Sequence, residues 1–225
     1  MRRRLDLSVS RRALLIGGAA MALPMAARAA AMAGVPASGA LSFRAFRNGG
    51  AFGTHTVRFA ASGAGMTVTI AVDYVVKFGP IAVFRYSLRG TETWQGGVLQ
   101  GFRSEVDDDG SRHVTSGMRD GDALLVDGSK TGKYRAPPGA LPSSHWNRHE
   151  MDKPMINSDT GELMRFSVAP RGQDMVTPAT GPAFPAQHFA LTGPAVLDLW
   201  YDASDVWASL RAVAKDGSII TYQRQ

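Results

Sequence analysis

Five histidines and a scatter of carboxylates supply most of the reactive groups, because the 225-residue sequence holds no cysteine. His145 and His149 stand four apart, with Glu150 next to the second. On a helix that spacing puts both imidazoles on one face, as two metal ligands need, with His113 or His188 completing a site from elsewhere. The order is not His-Glu-x-x-His and no third ligand is identifiable, so no metal is assigned. Two partly exposed histidines flanking a buried Trp146 explain the spacing more simply. Glu105, Asp107, Asp109 and Gly110 match positions 1, 3, 5 and 6 of a calcium loop, but position 12 is Ser116, not the bidentate carboxylate required. An acidic hairpin turn accounts for the same residues, because Asp and Gly tolerate positive φ. No Gly-x-Ser-x-Gly elbow occurs, and neither triad partners nor paired carboxylates can be picked out, so catalytic residues stay unassigned. No cofactor is expected, and without cysteine none is held by thiolates.

The segment favoured for ligand contact is His145-Trp146-Asn147. Trp offers apolar area and one donor, while Asn and His offer directional polar contacts. A structural plug, with Trp146 capping a barrel end, is the competing explanation. Both place the segment in the one long stretch that lacks alternation, 136–155, where a short helical insertion is expected over 143–153, capped by Ser143 or Ser144.

Everywhere else period-2 alternation dominates. Strands are expected at 41–46, 53–60, 66–78, 81–94, 98–106, 112–119 and 123–126, then at 163–168, 187–191, 196–201, 206–213 and 219–222. Gly, Asn and Asp close most of them, as in Asn48-Gly49-Gly50, Asp109-Gly110 and Asp216-Gly217. Residues 170–185, rich in Pro, Gly and Thr, read as a loop. The fold class is all-β: an antiparallel up-and-down meander forming a closed or half-open barrel, since flat unpaired edges invite aggregation. A barrel of about ten strands is wider than side chains alone easily fill. An internal apolar cavity follows, lined by inward residues of the third to fifth strands such as Tyr74, Phe84 and Tyr86, with Trp146 and Asn147 at its mouth.

The first 29 residues read as a removable export signal: Arg2-Arg3-Arg4, a short apolar run, and Ala27-Arg28-Ala29 as the cleavage site. The arginine pair after Ser10 marks the twin-arginine route, which carries folded proteins, so the export machinery is an expected partner and the periplasm the expected location. Residues 30–39 read as a flexible leader and 40–225 as one domain. The net charge of +6 belongs mostly to the signal, with six arginines against Asp6; without it 19 basic and 18 acidic residues remain, a net of +1. Nucleic acid is excluded as a partner on that balance, and no stretch beyond the signal is long and apolar enough to span a bilayer as a helix.

Several local patterns together resemble an uncharacterised family of exported bacterial β-rich proteins, a domain of unknown function. They are Leu41-Ser42-Phe43 with Gly53-Thr54-His55, Asp107 to Gly110 followed by Arg112-His113, Leu141-Pro142 with His145-Trp146-Asn147, Thr160-Gly161, and Trp200-Tyr201-Asp202 with Asp216-Gly217-Ser218. The strand–turn texture is also similar, more weakly, to half-barrel carriers of lipids or lipoproteins in the periplasm. The first functional expectation is therefore a periplasmic binding or carrier protein for a hydrophobic small molecule or lipid. The alternatives are a cofactor-independent hydrolase or isomerase using His145, His149 or His113 as base, and a structural interaction protein of the cell envelope.

Overall fold

The computed structural model describes residues 32–225, so the predicted signal over 1–29 lies outside the described residues. Eight strands come first: β1 (Ala40–Arg47), β2 (Gly50–Ser62), β3 (Gly65–Phe78), β4 (Ile81–Gln95), β5 (Val98–Asp108), β6 (Ser111–Asp120), β7 (Ala123–Gly128) and β8 (Gly132–Arg135). Three two-residue strands and one helical turn follow: β9 (Leu141–Pro142), a 3-10 turn (Arg148–Asp152), β10 (Met155–Ile156) and β11 (Leu163–Met164). The chain ends with β12 (Ser167–Val176), β13 (Phe184–Thr192), β14 (Val196–Tyr201), β15 (Trp207–Val213) and β16 (Ile219–Arg224).

Thirteen strands make one sheet in the order β12-β13-β14-β15-β16-β1-β2-β3-β4-β5-β6-β7-β8. The chain enters at the middle and meanders out to β8. It then crosses through β9–β11 to the far edge and meanders back, so that β16 closes antiparallel against β1. β8 and β12 stay unpaired with each other, which makes the architecture a half-open barrel. The small sheet β11-β10-β9 and the helical turn belong to the crossing segment.

Alternation sorts the faces as the sequence implies. On β1, Leu41, Phe43 and Ala45 are buried; on β4, Tyr86, Leu88, Gly90, Glu92 and Trp94 point in while Arg85, Arg89 and Thr91 point out. Full burial of a side chain such as Phe43 is worth about 1.5–3 kcal/mol. Tight turns sit where the Asn-Gly and Asp-Gly pairs stand: Asn48-Gly49 and Asp109-Gly110 both have positive φ at both residues, the pattern of a type I′ hairpin. Glu105 is tied to Arg103 and Asp107 accepts from the Gly110 amide, so the calcium-loop carboxylates serve strand and turn.

Three expectations change. The stretch expected as a loop over 170–185 is mostly strand, because β12 is an edge strand and tolerates Pro170 at a register shift. The expected helix over 143–153 is only the 3-10 turn, and its cap is Asn147, whose side chain accepts from the His149 amide at 3.1 Å. Residues 32–39, expected as a flexible leader, lie against the crossing segment: Met32 and Val35 pack on the core, and Gly34 has room for no Cβ beside the Trp146 carbonyl.

Gly117 on β6 sits opposite Phe102 on β5, and a Cβ there would fall 2.3 Å from the Phe102 ring. Gly117→Ala is expected to cost about 1–3 kcal/mol by overpacking. The midpoint of urea unfolding measures it, and an unchanged midpoint would show that the ring moves freely.

Candidate functional site

The crossing segment fills one end of the barrel. Trp146 is fully buried at its centre, edge-on to Phe59 at 5.2 Å and to Trp94 at 5.3 Å. Two carboxylates are buried with it. Glu92 comes from the inward face of β4, and its Oε2 accepts from the indole N–H groups of Trp94 at 2.8 Å and Trp146 at 3.0 Å. Its Oε1 has no partner among the described residues. Burial is the main reason that the Glu92 carboxyl is pushed up to about 7; the hydrogen bonds oppose the rise and the Glu150 charge adds to it. Glu92 also borders a cavity of about 30 Å³ that Ser104, Ser143, Ser144 and Ser158 line with it. That is room for roughly two water molecules and no substrate.

Glu150 is also fully buried and is more completely satisfied. Its Oε2 accepts from the amides of Ser144 at 3.0 Å and His145 at 2.9 Å, and its Oε1 lies 2.6 Å from Nδ1 of His145. Those contacts hold His145 at a φ of 64°, a left-handed conformation that needs such support in a non-glycine residue. The Tyr201 hydroxyl donates to the His145 carbonyl at 2.9 Å.

A column of rings continues from there toward the other end. Trp207 lies edge-on between His145 at 5.6 Å and His55 at 5.1 Å. His55 is buried, its Nε2 has no partner among the described residues, and burial, helped by His145, lowers its pKa to about 3. Its Nδ1 is 3.4 Å from the Tyr222 hydroxyl, which in turn is hydrogen-bonded to the Tyr74 hydroxyl. Burial pushes the Tyr222 phenol up to about 12. Tyr74 then stacks on Phe52 at 4.5 Å and on Tyr86 at 5.5 Å. Near Tyr86, His113 pairs with Asp159 at 2.7 Å.

The six residues expected at a ligand therefore fall into two groups. His145, Trp146 and Asn147 belong to the plug, whereas Tyr74 and Tyr86 pack against the core at the opposite end and Phe84 lies farther out on the β3–β4 hairpin, all three only half-buried. There a recess of about 630 Å³ opens beside Phe52, Val75, Val76, Arg47 and Lys77. The histidines are dispersed among separate partners: His149 faces Asp152, and His188 is held by Asp174 and Asp198 over the Trp200 ring. Among the described residues no group of three His, Asp or Glu side chains is placed to hold a metal ion. Sequence reasoning missed Glu92 and the inward place of His55, although both carry a signal: each shares strand parity with buried apolar neighbours, Trp94 for one and Val57 for the other.

Comparison with known proteins adds the family. A family model described as Domain of unknown function (DUF6134) matches residues 43–225. The chain belongs to that family. The match spans the barrel and its crossing segment, which ties the DUF6134 sequence pattern to this half-open fold. None of the curated proteins compared with it matches. Among solved structures, the chain is similar to a β-barrel-like protein of the domain of unknown function DUF1849 from Brucella abortus. The TM-score is 0.57 at 8% identity, with 83% of this chain and 94% of that chain covered. At that identity the likeness concerns the fold.

Proposed function

We propose that this DUF6134 chain is a periplasmic carrier for a hydrophobic small molecule or lipid, held at the open end of the barrel. One observation carries the reading: the recess of about 630 Å³ beside Phe52 and Val76, backed by the stack of Phe52 on Tyr74 and of Tyr74 on Tyr86. Its volume falls in the range of small-molecule sites, roughly 300–1,000 Å³, and its lining mixes apolar Ala51, Phe52, Val75 and Val76 with polar Arg47, Asn48, Lys77 and Ser218. Lys77 in that lining, with no ion pair among the described residues, suits a cargo with an acidic head on an apolar body, whereas Arg47 is already paired with Asp216. The plug closes the other end, so cargo enters and leaves by one mouth. The signal-like residues 1–29 support a site of work outside the cytoplasm. A histidine-based enzyme has less behind it, because His145 is engaged by Glu150 and the cavity beside the plug holds only water-sized guests.

The test is organic extraction and mass spectrometry of the protein purified gently from its own periplasm, with displacement of a fluorescent fatty acid as the binding assay. Wild type is expected to release apolar material and to bind the probe, and Val76→Asp, which sets a charge in the recess, is expected to weaken probe binding by at least about tenfold. A bare polypeptide that also fails to bind the probe removes the carrier reading.

A further inference from the structure

The hairpin of β3 and β4 outruns its neighbours. The last pairing of β3 with β2 is Tyr74 with Gly53, and the last pairing of β4 with β5 is Tyr86 with Asp108. Beyond them Val76–Phe78 and Ile81–Phe84 pair only with each other, around a turn at Gly79-Pro80. Three residue pairs and a turn, roughly 10 Å of ribbon, extend past these last pairings, with the tip of the β1–β2 hairpin across the recess from Val75–Lys77. This ribbon carries the most exposed large apolar side chain of the described residues: Phe78 is 80% exposed, Ile81 64% and Val83 54%. An isolated two-stranded ribbon gains nothing from such residues in water, where Thr or Ser would serve as well. The flanking charges are Lys77 and Arg85, and no acidic residue lies between Tyr74 and Tyr86.

We propose that the β3–β4 tip is a membrane-docking element: Phe78 and Ile81 enter the boundary between headgroups and acyl chains, while Lys77 and Arg85 meet the phosphates of acidic lipids. Charge complementarity decides for a lipid surface, because the apolar tip itself bears Lys77 and no carboxylate, the acidic turn at Asp109 lying at its base beside Arg85. The tip stands at the same end as the recess, which places a docked mouth against the bilayer. The proposal nevertheless does not depend on cargo, and the two readings are measured separately.

Vesicles of phosphatidylcholine, with and without phosphatidylglycerol, are sedimented with the mature chain. Binding is expected with phosphatidylglycerol and to weaken with salt, each of the two cations contributing about fivefold. Phe78→Asp with Ile81→Asp is expected to lower it by at least about tenfold, with an unchanged melting temperature because both side chains are exposed. The absence of cysteine allows a single environment-sensitive dye at Phe78→Cys, or at Leu125→Cys as a control exposed elsewhere on the sheet. The dye at position 78 is expected to shift to the blue on vesicles and the one at 125 to stay unchanged. Failure to sediment with either vesicle, undiminished binding by the double variant, or equal shifts at both positions overturns the proposal. Loss of vesicle binding with cargo still extracted would sink the docking element alone; a bare protein that still docks would sink only the carrier.

Discussion

Between pH 4.5 and 6.5, Glu92→Gln is expected to gain about 3 kcal/mol of stability relative to wild type as the pH rises. Glu92 alone produces this difference, although a second buried group, His55, carries the opposite pH dependence in both proteins. Glu92 is raised from 4.5 to about 7, so its native state holds the proton more tightly than the unfolded chain. Its contribution is complete below pH 4.5 and is lost as the pH rises through about 7. His55 is lowered from 6.5 to about 3, so its native state refuses the proton that the unfolded chain takes. Its contribution is complete above pH 6.5 and is lost as the pH falls toward about 3. Across the shared window one slope is negative, the other positive, and each amounts to about 1.4 kcal/mol per pH unit. In the wild type the two oppose each other.

Glu92→Gln removes one slope and exposes the other. The amide oxygen still accepts from the indoles of Trp94 and Trp146, and the amide nitrogen faces the cavity where Ser104 and Ser144 have hydroxyls to accept from it. Urea unfolding of both proteins at several pH values, compared as differences, isolates the effect from every other titrating group. A variant that tracks wild type throughout the window would show that Glu92 ionises like an ordinary carboxylate. His55→Phe, which deletes the other member, is expected to show the reverse slope.

How much of this was legible beforehand differs between sheet and plug. Strand after strand was readable because a sheet with one buried face imposes period 2, as in Leu41-Phe43-Ala45 and Tyr86-Leu88-Gly90. The Asn-Gly and Asp-Gly turns were readable because few other residue pairs accept two consecutive positive φ angles. β12 was not, since Pro170 and Gly172 deplete a strand signal that an edge position forgives. The open edges were also hidden: alternation separates the two faces of each strand and says neither which one turns inward nor whether β8 reaches β12. In the crossing segment there is no period at all. Its fold is set by long-range contacts such as Trp146 with Glu92, 54 positions apart, which no local pattern encodes. Hence His145, Trp146 and Asn147 were found as unusual and assigned to a mouth, whereas the recess lies among Phe52, Val75 and Val76 at the other end. Tyr74 and Tyr86 pack against the core, and Phe84 lies farther out on the β3–β4 ribbon.

The plug itself depends on one carboxylate, and Glu150→Ala is expected to cost about 3–5 kcal/mol, the range for removing one partner of a buried charged network. The side chain answers three donors at once: two amides, of Ser144 and His145, and the His145 ring. Deleting it strands the amides where water does not reach, each at about 1–3 kcal/mol, and frees His145 from the left-handed conformation that aims its carbonyl at Tyr201. Trp146 follows His145 directly, so the slackening passes to the ring that closes this end of the barrel. Against a total stability of about 5–15 kcal/mol, a loss of that size leaves a folded but loosened protein. Glu150→Gln separates the two contributions: its amide oxygen retains acceptance from both backbone donors, and only the pairing with the imidazole changes. The glutamine variant is thus expected to recover most of the loss, and amide hydrogen exchange is expected to rise over residues 143–152 in the alanine variant alone. Equal unfolding midpoints for wild type and Glu150→Ala would mean that the crossing segment holds its shape through apolar packing around Trp146, with the carboxylate a passenger in it.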